Sequence, residues 1–236
     1  MHPDDRAKSA SDRLIIALDF PEAGHAIDCA GDLKGDVSWF KIGLQLYTAA
    51  GPDVLRAVAE TGANIFLDLK LHDIPNTVAR AVEAAANLGV KMLTIHLSGG
   101  KQMVEAAVAS CPSDLLLLGV TVLTSSDEAT LRETGVSGNV EEQTARLAEL
   151  GAAAGVGGLI ASPHEVRALR AQFGTALTIV TPGVRPASAA ADDQKRFATP
   201  REAIESGADF LVIGRPVTAR AEPREAVRQI ISEIAS

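Results

Sequence analysis

Short apolar stretches alternate with longer amphipathic ones along the whole chain. Eight stretches have the length and composition of buried strands: residues 14–19, 37–43, 64–69, 92–96, 115–122, 156–161, 178–180 and 209–214. Helical patterns separate them, including residues 44–60 and 74–88. Strands that alternate with helices predict a parallel α/β sheet, and eight units fit one closed (β/α)8 TIM barrel. A doubly wound open sheet is the alternative that this alternation allows.

Glycines and capping residues at the element junctions support the count of eight. Gly62, Gly89 and Gly207 each end a helical stretch just before a strand, where a left-handed backbone is common. Ser162 and Thr199 each precede a proline and are followed by glutamate at the third helical position, which is typical of a helix N-terminus. Each of these junctions is expected between a strand and a helix of a barrel.

The richest polar chemistry lies in residues 66–77. Asp68 and Lys70 are two positions apart in the third strand, so their side chains should share one face. Asp73 adds a carboxylate just past the strand, and Pro75 suits the first turn of a helix. Because buried charges are costly unless paired, we predict a functional site at the C-terminal end of this strand, where barrels bind ligands.

Other predicted strand ends add polar residues to the same rim. Asp19 follows the first strand, Lys41 is near the end of the second, and Thr124 follows the fifth. Asp19 could instead cap the next helix, and Thr124 could form a hydrogen bond with its own backbone. Lys41 is harder to explain without a function, because burying an ammonium inside a barrel is costly. His96 is interpreted as a core histidine outside the site, and His72 as an orienting or structural residue.

Two late segments predict a phosphate-binding end. Gly214 and Arg215 follow the eighth strand, where barrels often bind phosphate with loops and a helix N-terminus. Arg185 and Gln194 lie in a long loop at residues 182–198, which we interpret as a lid over the same anion. A surface loop without a function is the alternative.

Composition restricts the possible partners. The 236 residues carry a formal net charge of −8, which argues against a nucleic-acid or anionic-membrane surface but permits a local anion site. Cys29 and Cys111 have neither disulfide-framework nor metal-ligand spacing. Without an apolar leader or an apolar run of membrane-spanning length, we predict a cytoplasmic protein. We assign residues 13–236 to one barrel domain and residues 1–12 to a disordered polar tail.

The sequence DLKLHDIPNT at residues 68–77 resembles the catalytic signature of the orotidine 5′-phosphate decarboxylase family. Further matches follow in the family's order at residues 18–19, 41–43, 120–125, 181–186, 193–196 and 213–216. The resemblance begins near Leu14, extends to the C-terminus, and is to the shorter, bacterial type. It implies decarboxylation of orotidine 5′-phosphate to UMP and CO2, the last step of de novo pyrimidine synthesis, by a homodimer that uses no metal and no organic cofactor.

The resemblance also implies a role for each site residue. Lys70 should donate a proton to the C6 carbanion, in a charge network with Lys41, Asp68 and the partner's Asp73. Ile74 and Thr77 should also reach into the partner's site. The residues that should bind substrate are Asp19 and Lys41 at the ribose, Thr124 or Ser125 at the pyrimidine, Arg185, Gln194 and Arg215 at the phosphate, together with Asp68, Pro182 and Gly214.

Three other functions remain open at this point. A sugar-phosphate decarboxylase or synthase of the same superfamily would need Mg²⁺ held by carboxylates, and Lys41 argues against it. A Schiff-base aldolase using Lys70 is disfavoured because flanking carboxylates would keep that lysine charged. A nucleotide-binding protein without catalysis would not need Lys70 at all.

Overall fold

Eight parallel strands close into a barrel in which each strand pairs with its sequence neighbours and the last pairs with the first. The computed structural model describes residues 9–186 and 198–235. The strands are β1 Leu14–Ala17, β2 Trp39–Gly43, β3 Asn64–Leu71, β4 Met92–His96, β5 Leu116–Val120, β6 Gly158–Ile160, β7 Thr178–Pro182 and β8 Phe210–Ile213. The predicted (β/α)8 barrel is confirmed, and the open-sheet alternative is wrong.

Helices connect successive strands around the outside. They are α1 Ala23–Asp32, α2 Leu44–Ala50, α3 Asp53–Ala59, α4 Pro75–Asn87, α5 Lys101–Ala109, α6 Glu128–Glu133, α7 Val140–Ala154, α8 Pro163–Phe173, α9 Pro200–Glu205, α10 Arg215–Thr218 and α11 Pro223–Ala235. Capping boxes begin α8 at Ser162 and α9 at Thr199, as predicted. The three junction glycines all have positive φ, between 77° and 108°. Within the described residues, no helix combines the length and apolarity required to cross a membrane.

Two sequence predictions about local structure need correction. The helix predicted at residues 44–60 is two helices, because Gly51 has a φ of 66° and Pro52 has no N–H to continue the first one. The tail predicted to be disordered through residue 12 contains a 3-10 helix at Ser11–Arg13. Asp12 anchors this helix by accepting a hydrogen bond of 2.6 Å from the Ser38 hydroxyl. The boundary between tail and barrel domain stays a prediction.

Inside the barrel, a layer of apolar side chains, here called the floor, lies below a layer of polar side chains at the C-terminal ends of the strands. Trp39, Phe66 and Met92 belong to the cluster that fills the barrel interior. Two residues further along β2 and β3, Lys41 and Asp68 point to the same side, toward the C-terminal rim. A larger apolar core lies between the strands and the helices. The floor therefore supports a layer of charged side chains from below and excludes water beneath them.

Candidate active site

A cavity of about 630 Å³ opens at the C-terminal ends of the strands. Of the residues predicted to form the site, it is lined by Asp19, Lys41, Asp68, Lys70, Thr124, Pro182, Arg185, Gly214 and Arg215. Its apolar lining includes Phe66, Val120, Ile160 and Val212. Side chains that are far apart in sequence thus converge on one pocket because the barrel brings all eight strand ends to one rim.

Four of these side chains form a chain of alternating charge. The Lys41 ammonium lies 2.9 Å from Asp19 and 3.6 Å from Asp68. The Lys70 ammonium donates to both carboxylate oxygens of Asp68 at 2.8 Å. The Lys41 and Asp68 side chains are only 10% and 13% exposed, so solvent screens their attraction weakly. Each lysine side chain is therefore held in position by at least one carboxylate.

Burial and the neighbouring groups shift the pKa of Asp68 in opposite directions, and the neighbouring groups together have the larger effect. Burial raises the pKa of its carboxyl group, but the charges of Lys41 and Lys70 and hydrogen bonds from Lys70 and Thr94 together lower it below the ordinary value. Asp68 is consequently an anion at neutral pH. A buried anion between two cations is a preorganised charge arrangement, which is the feature that stabilises charge developing in a reaction.

Lys70 has an unusual backbone. Its φ is 51°, and it is the one non-glycine residue with positive φ in the part of the chain that the structure describes. A left-handed conformation costs a residue with a Cβ roughly 1–2 kcal/mol. Strain of this kind is concentrated at functional sites, where the surrounding structure maintains it. The sequence contained no sign of it, since a glycine would be the usual residue at such a position.

Two further residues shape the site and were missed by sequence reasoning. Thr94 is fully buried beside Asp68 and Lys70, but a threonine within a strand is ordinary and drew no attention. Gly43 leaves room for Lys41, because a Cβ at position 43 would lie 2.9 Å from the Lys41 ammonium. Gly43 belongs to the family match at residues 41–43, but its contact with Lys41 could not be read from that match.

The structure describes part of the predicted phosphate-binding end of the cavity. Arg185 and Arg215 line the cavity from the ends of β7 and β8, together with Gly214. The Arg185 N–H donates to the carbonyl of Ala198 at 3.1 Å, so the two ends of the predicted lid loop adjoin. Gln194 lies outside the described residues, and its role stays a prediction.

Four predicted residues do not line the cavity of this single chain: Asp73, Ile74, Thr77 and Ser125. Asp73 accepts a hydrogen bond of 2.6 Å from the N–H of Ile74, just before α4. The Ile74 side chain is exposed, at 66%, although it is large and apolar. The contribution of Asp73, Ile74 and Thr77 to a partner's site stays a prediction, as does contact of Ser125 with the pyrimidine.

His72 and His96 lie next to the cavity and contact each other. Their ring centroids are 5.6 Å apart, and neither histidine is among the residues that line the cavity. Burial lowers the pKa of His96, and the nearby His72 and Lys70 lower it further. The lowered pKa favours the neutral form of His96, whose interpretation as a core histidine stays a prediction because the residue is only partly buried. Among the described residues, no group of three or more His, Cys, Asp or Glu side chains could hold a metal ion.

The fold and this pocket define a (β/α)8-barrel enzyme with its charged site at the C-terminal face. The model of the family described as "Orotidine 5'-phosphate decarboxylase / HUMPS family" matches residues 12–230, and the chain belongs to that family. The resemblance found in the sequence, and with it the prediction of a carboxy-lyase family, is confirmed.

Individual relatives are similar to this chain over nearly the full length of both sequences. The chain is 51% identical to an orotidine 5′-phosphate decarboxylase of Opitutus terrae, over 94% of this chain and 98% of the relative. It is 48% identical to one of Nitratidesulfovibrio vulgaris, over 94% and 97%. The crystal structure of orotidine 5′-phosphate decarboxylase from Lactobacillus acidophilus superposes with a TM-score of 0.84 at 35% identity, covering 95% of this chain and all of that one.

Proposed function

We propose that this protein converts orotidine 5′-phosphate to UMP and CO2 without a metal or organic cofactor, as the last step of de novo pyrimidine synthesis in the cytoplasm. The observation that carries the proposal is the Lys70 ammonium, fixed by both oxygens of Asp68 inside the cavity. The confirmed family supports the same reaction.

The proposed chemistry places Lys70 at the reacting carbon. Loss of CO2 from C6 of the pyrimidine leaves a vinylic carbanion that has no ordinary electron sink. The Lys70 ammonium stabilises the growing negative charge and then transfers its proton to C6, which yields UMP. Asp68 is near the departing carboxylate, and the repulsion between the two anions is relieved as CO2 leaves. Lys41 on the other side of Asp68 keeps the network charged and oriented.

The remaining cavity residues account for binding. Asp19 and Lys41, which are joined by an ion pair, bind the ribose hydroxyls, and Thr124 or the neighbouring Ser125 contacts the pyrimidine. The phosphate dianion is bound by Arg185, Arg215 and Gln194, with Pro182 and Gly214 shaping that end of the cavity. Binding energy from the phosphate, which is remote from C6, can be used to close the lid and assemble the site.

We further propose a homodimer with shared sites, in which Asp73, Ile74 and Thr77 of each subunit complete the site of the other. The Ile74 side chain follows Asp73 directly and is large, apolar and exposed, so it is available for contact with a second subunit. Asp73 would then extend the alternating chain of charges beyond Lys70.

The Mg²⁺-dependent sugar-phosphate reaction is the alternative. In such an enzyme the carboxylates would bind a metal ion. Here the Lys41 ammonium lies between Asp19 and Asp68, within 3.6 Å of both, and provides the cation that these acids require. The arrangement therefore favours the cofactor-free decarboxylase.

The deciding experiment is an absorbance assay with orotidine 5′-phosphate in buffer treated with a chelator. We expect loss of the substrate's absorbance with stoichiometric UMP, unchanged after addition of Mg²⁺. A parallel reaction with hexulose and keto-gulonate phosphates, with and without Mg²⁺, serves as the control. Turnover of a sugar phosphate that depends on Mg²⁺, with none of the nucleotide, would overturn the proposal.

A further inference from the structure

The strand that carries the catalytic charges is irregular at the point where they occur. β3 and β4 pair in register at Leu67 and Leu93, and the next paired residues are Leu71 and Ile95. Four steps along β3 thus match only two along β4. Residues 68–70 bulge out of the ladder, and Lys70 adopts its left-handed conformation within this bulge.

One hydroxyl group bridges the bulge. The N–H of Lys70 donates to Thr94 Oγ1 at 2.8 Å, and Thr94 Oγ1 donates to Asp68 Oδ1 at 2.9 Å. A threonine hydroxyl has one proton to give and lone pairs to accept, so both bonds form at once. Thr94 has no exposed surface, so water cannot replace either bond.

We propose that Thr94 is a positioning residue for the decarboxylation, an inference that rests on the proposed function. Its hydroxyl replaces the ladder partner that the bulge removes from Lys70, and it fixes the carboxylate that holds the Lys70 ammonium. Thr94 Oγ1 therefore holds the Lys70 backbone directly and the Lys70 side chain through Asp68. Thr94 does not line the cavity, so it acts through Asp68 and Lys70 and does not touch the substrate.

The test replaces the hydroxyl while the shape of the side chain is kept. In Thr94→Val we expect kcat for orotidine 5′-phosphate to fall at least tenfold while KM changes less than threefold, because phosphate and ribose contacts remain. Thr94→Ser retains the hydroxyl and should stay within about threefold of wild-type kcat. Thr144→Val is the matched control: its hydroxyl is also buried, has no hydrogen-bond partner among the described residues, and should be dispensable.

The outcomes separate positioning from plain stability. Wild-type kcat in folded Thr94→Val, or an equal loss in the valine and serine variants, would overturn the proposal. If Thr94→Val does not fold, Thr94→Ala takes its place. Alanine also lacks the hydroxyl but has a smaller side chain, and the same fall in kcat is expected. A crystal structure of the folded variant gives a readout independent of activity: Lys70 should leave the left-handed region. If wild-type protein has no decarboxylase activity, the proposed function fails, whereas the structural expectation can still be tested.

Discussion

At the scale of single residues, Lys70 is the side chain on which the proposed chemistry depends. Replacing it with alanine removes both the proposed proton donor and the charge proposed to stabilise the carbanion. We expect Lys70→Ala to lower UMP formation by about 10³-fold or more. UMP should still bind, because the phosphate contacts lie at the other end of the cavity. Turnover and calorimetric UMP binding measure the two effects. Lys91→Ala, which breaks an exposed ion pair with Asp114, is the control that should leave both unchanged.

Arg215 tests the phosphate end of the cavity. A charge-assisted contact contributes roughly 1.5–3 kcal/mol, which corresponds to about 10- to 150-fold in affinity. We expect Arg215→Ala to raise KM by about that factor. The loss should shrink when the substrate is replaced by the nucleoside, which has no phosphate for the arginine to bind. Arg228→Ala, an exposed arginine on α11, provides the comparison. An unaltered KM in Arg215→Ala would contradict its role.

His96 gives the protein an expected sensitivity to acid. Its pKa in the folded state is lowered, chiefly by burial, so below an unfolded value of about 6.5 the unfolded chain binds the proton more readily. Stability should therefore fall as the pH drops through this range. In His96→Asn the dependence of the melting temperature on pH, between about 8 and 5, should be flatter. The exposed His164 on α8 offers the matched substitution, and an equally steep profile in His96→Asn would refute the assignment.

At the scale of elements, Arg170 links helix α8 to the segments that lead into strands β7 and β8. Arg170 on α8 donates to the carbonyls of Leu177 and Gly207 and forms an ion pair of 2.5 Å with Asp209. These groups precede β7 and β8, at the rim opposite the cavity, where barrel residues serve stability.

Removing Arg170 leaves a carboxylate that is only 18% exposed without its cation. We expect Arg170→Ala to reduce the free energy of unfolding by about 3 kcal/mol. Urea denaturation measures the change. KM and kcat of the folded protein should remain near wild type, since the site lies at the other rim. Arg167→Ala on the exposed face of the same helix should have little effect on either quantity.

The element scale also shows what sequence reasoning could and could not predict. Periodicity, junction glycines and capping residues predicted all eight strands, since each depends on local pattern. The division of residues 44–60 into two helices was missed, although Gly51 and Pro52 were visible, because the apolar pattern continues across them. The bulge in β3 left no local signal: the hydrogen bond from the backbone N–H of Lys70 within it is accepted by Thr94, a residue of another strand.

At the scale of the whole molecule, the barrel makes the site predictable from strand ends alone. Asp19, Lys41, Asp68 and Lys70 come from three strands, and their shared rim follows from closure of the sheet. The predicted roles of Asp73, Ile74 and Thr77 concern an interface between subunits, and an experiment with mixed subunits tests them.

Shared sites make a quantitative prediction for mixed subunits. If each site uses its own Lys70 and the partner's Asp73, a dimer of one Lys70→Ala and one Asp73→Ala subunit contains one intact site and one doubly defective site. Random assembly makes about half of all dimers mixed, so about a quarter of wild-type sites should be restored. Each parent protein should be nearly inactive by itself.

The control uses two residues that belong to the same site. Mixing Lys70→Ala with Asp68→Ala should restore nothing, because Asp68 binds the Lys70 ammonium of its own chain at 2.8 Å, and each site of the mixed dimer lacks one of the two. Activity is measured after co-refolding equal amounts of the two variants and is compared with wild type refolded alone. If the Asp73 mixture recovers no more activity than the Asp68 mixture, each site is built from one chain, and the proposed roles of Ile74 and Thr77 fail together with that of Asp73.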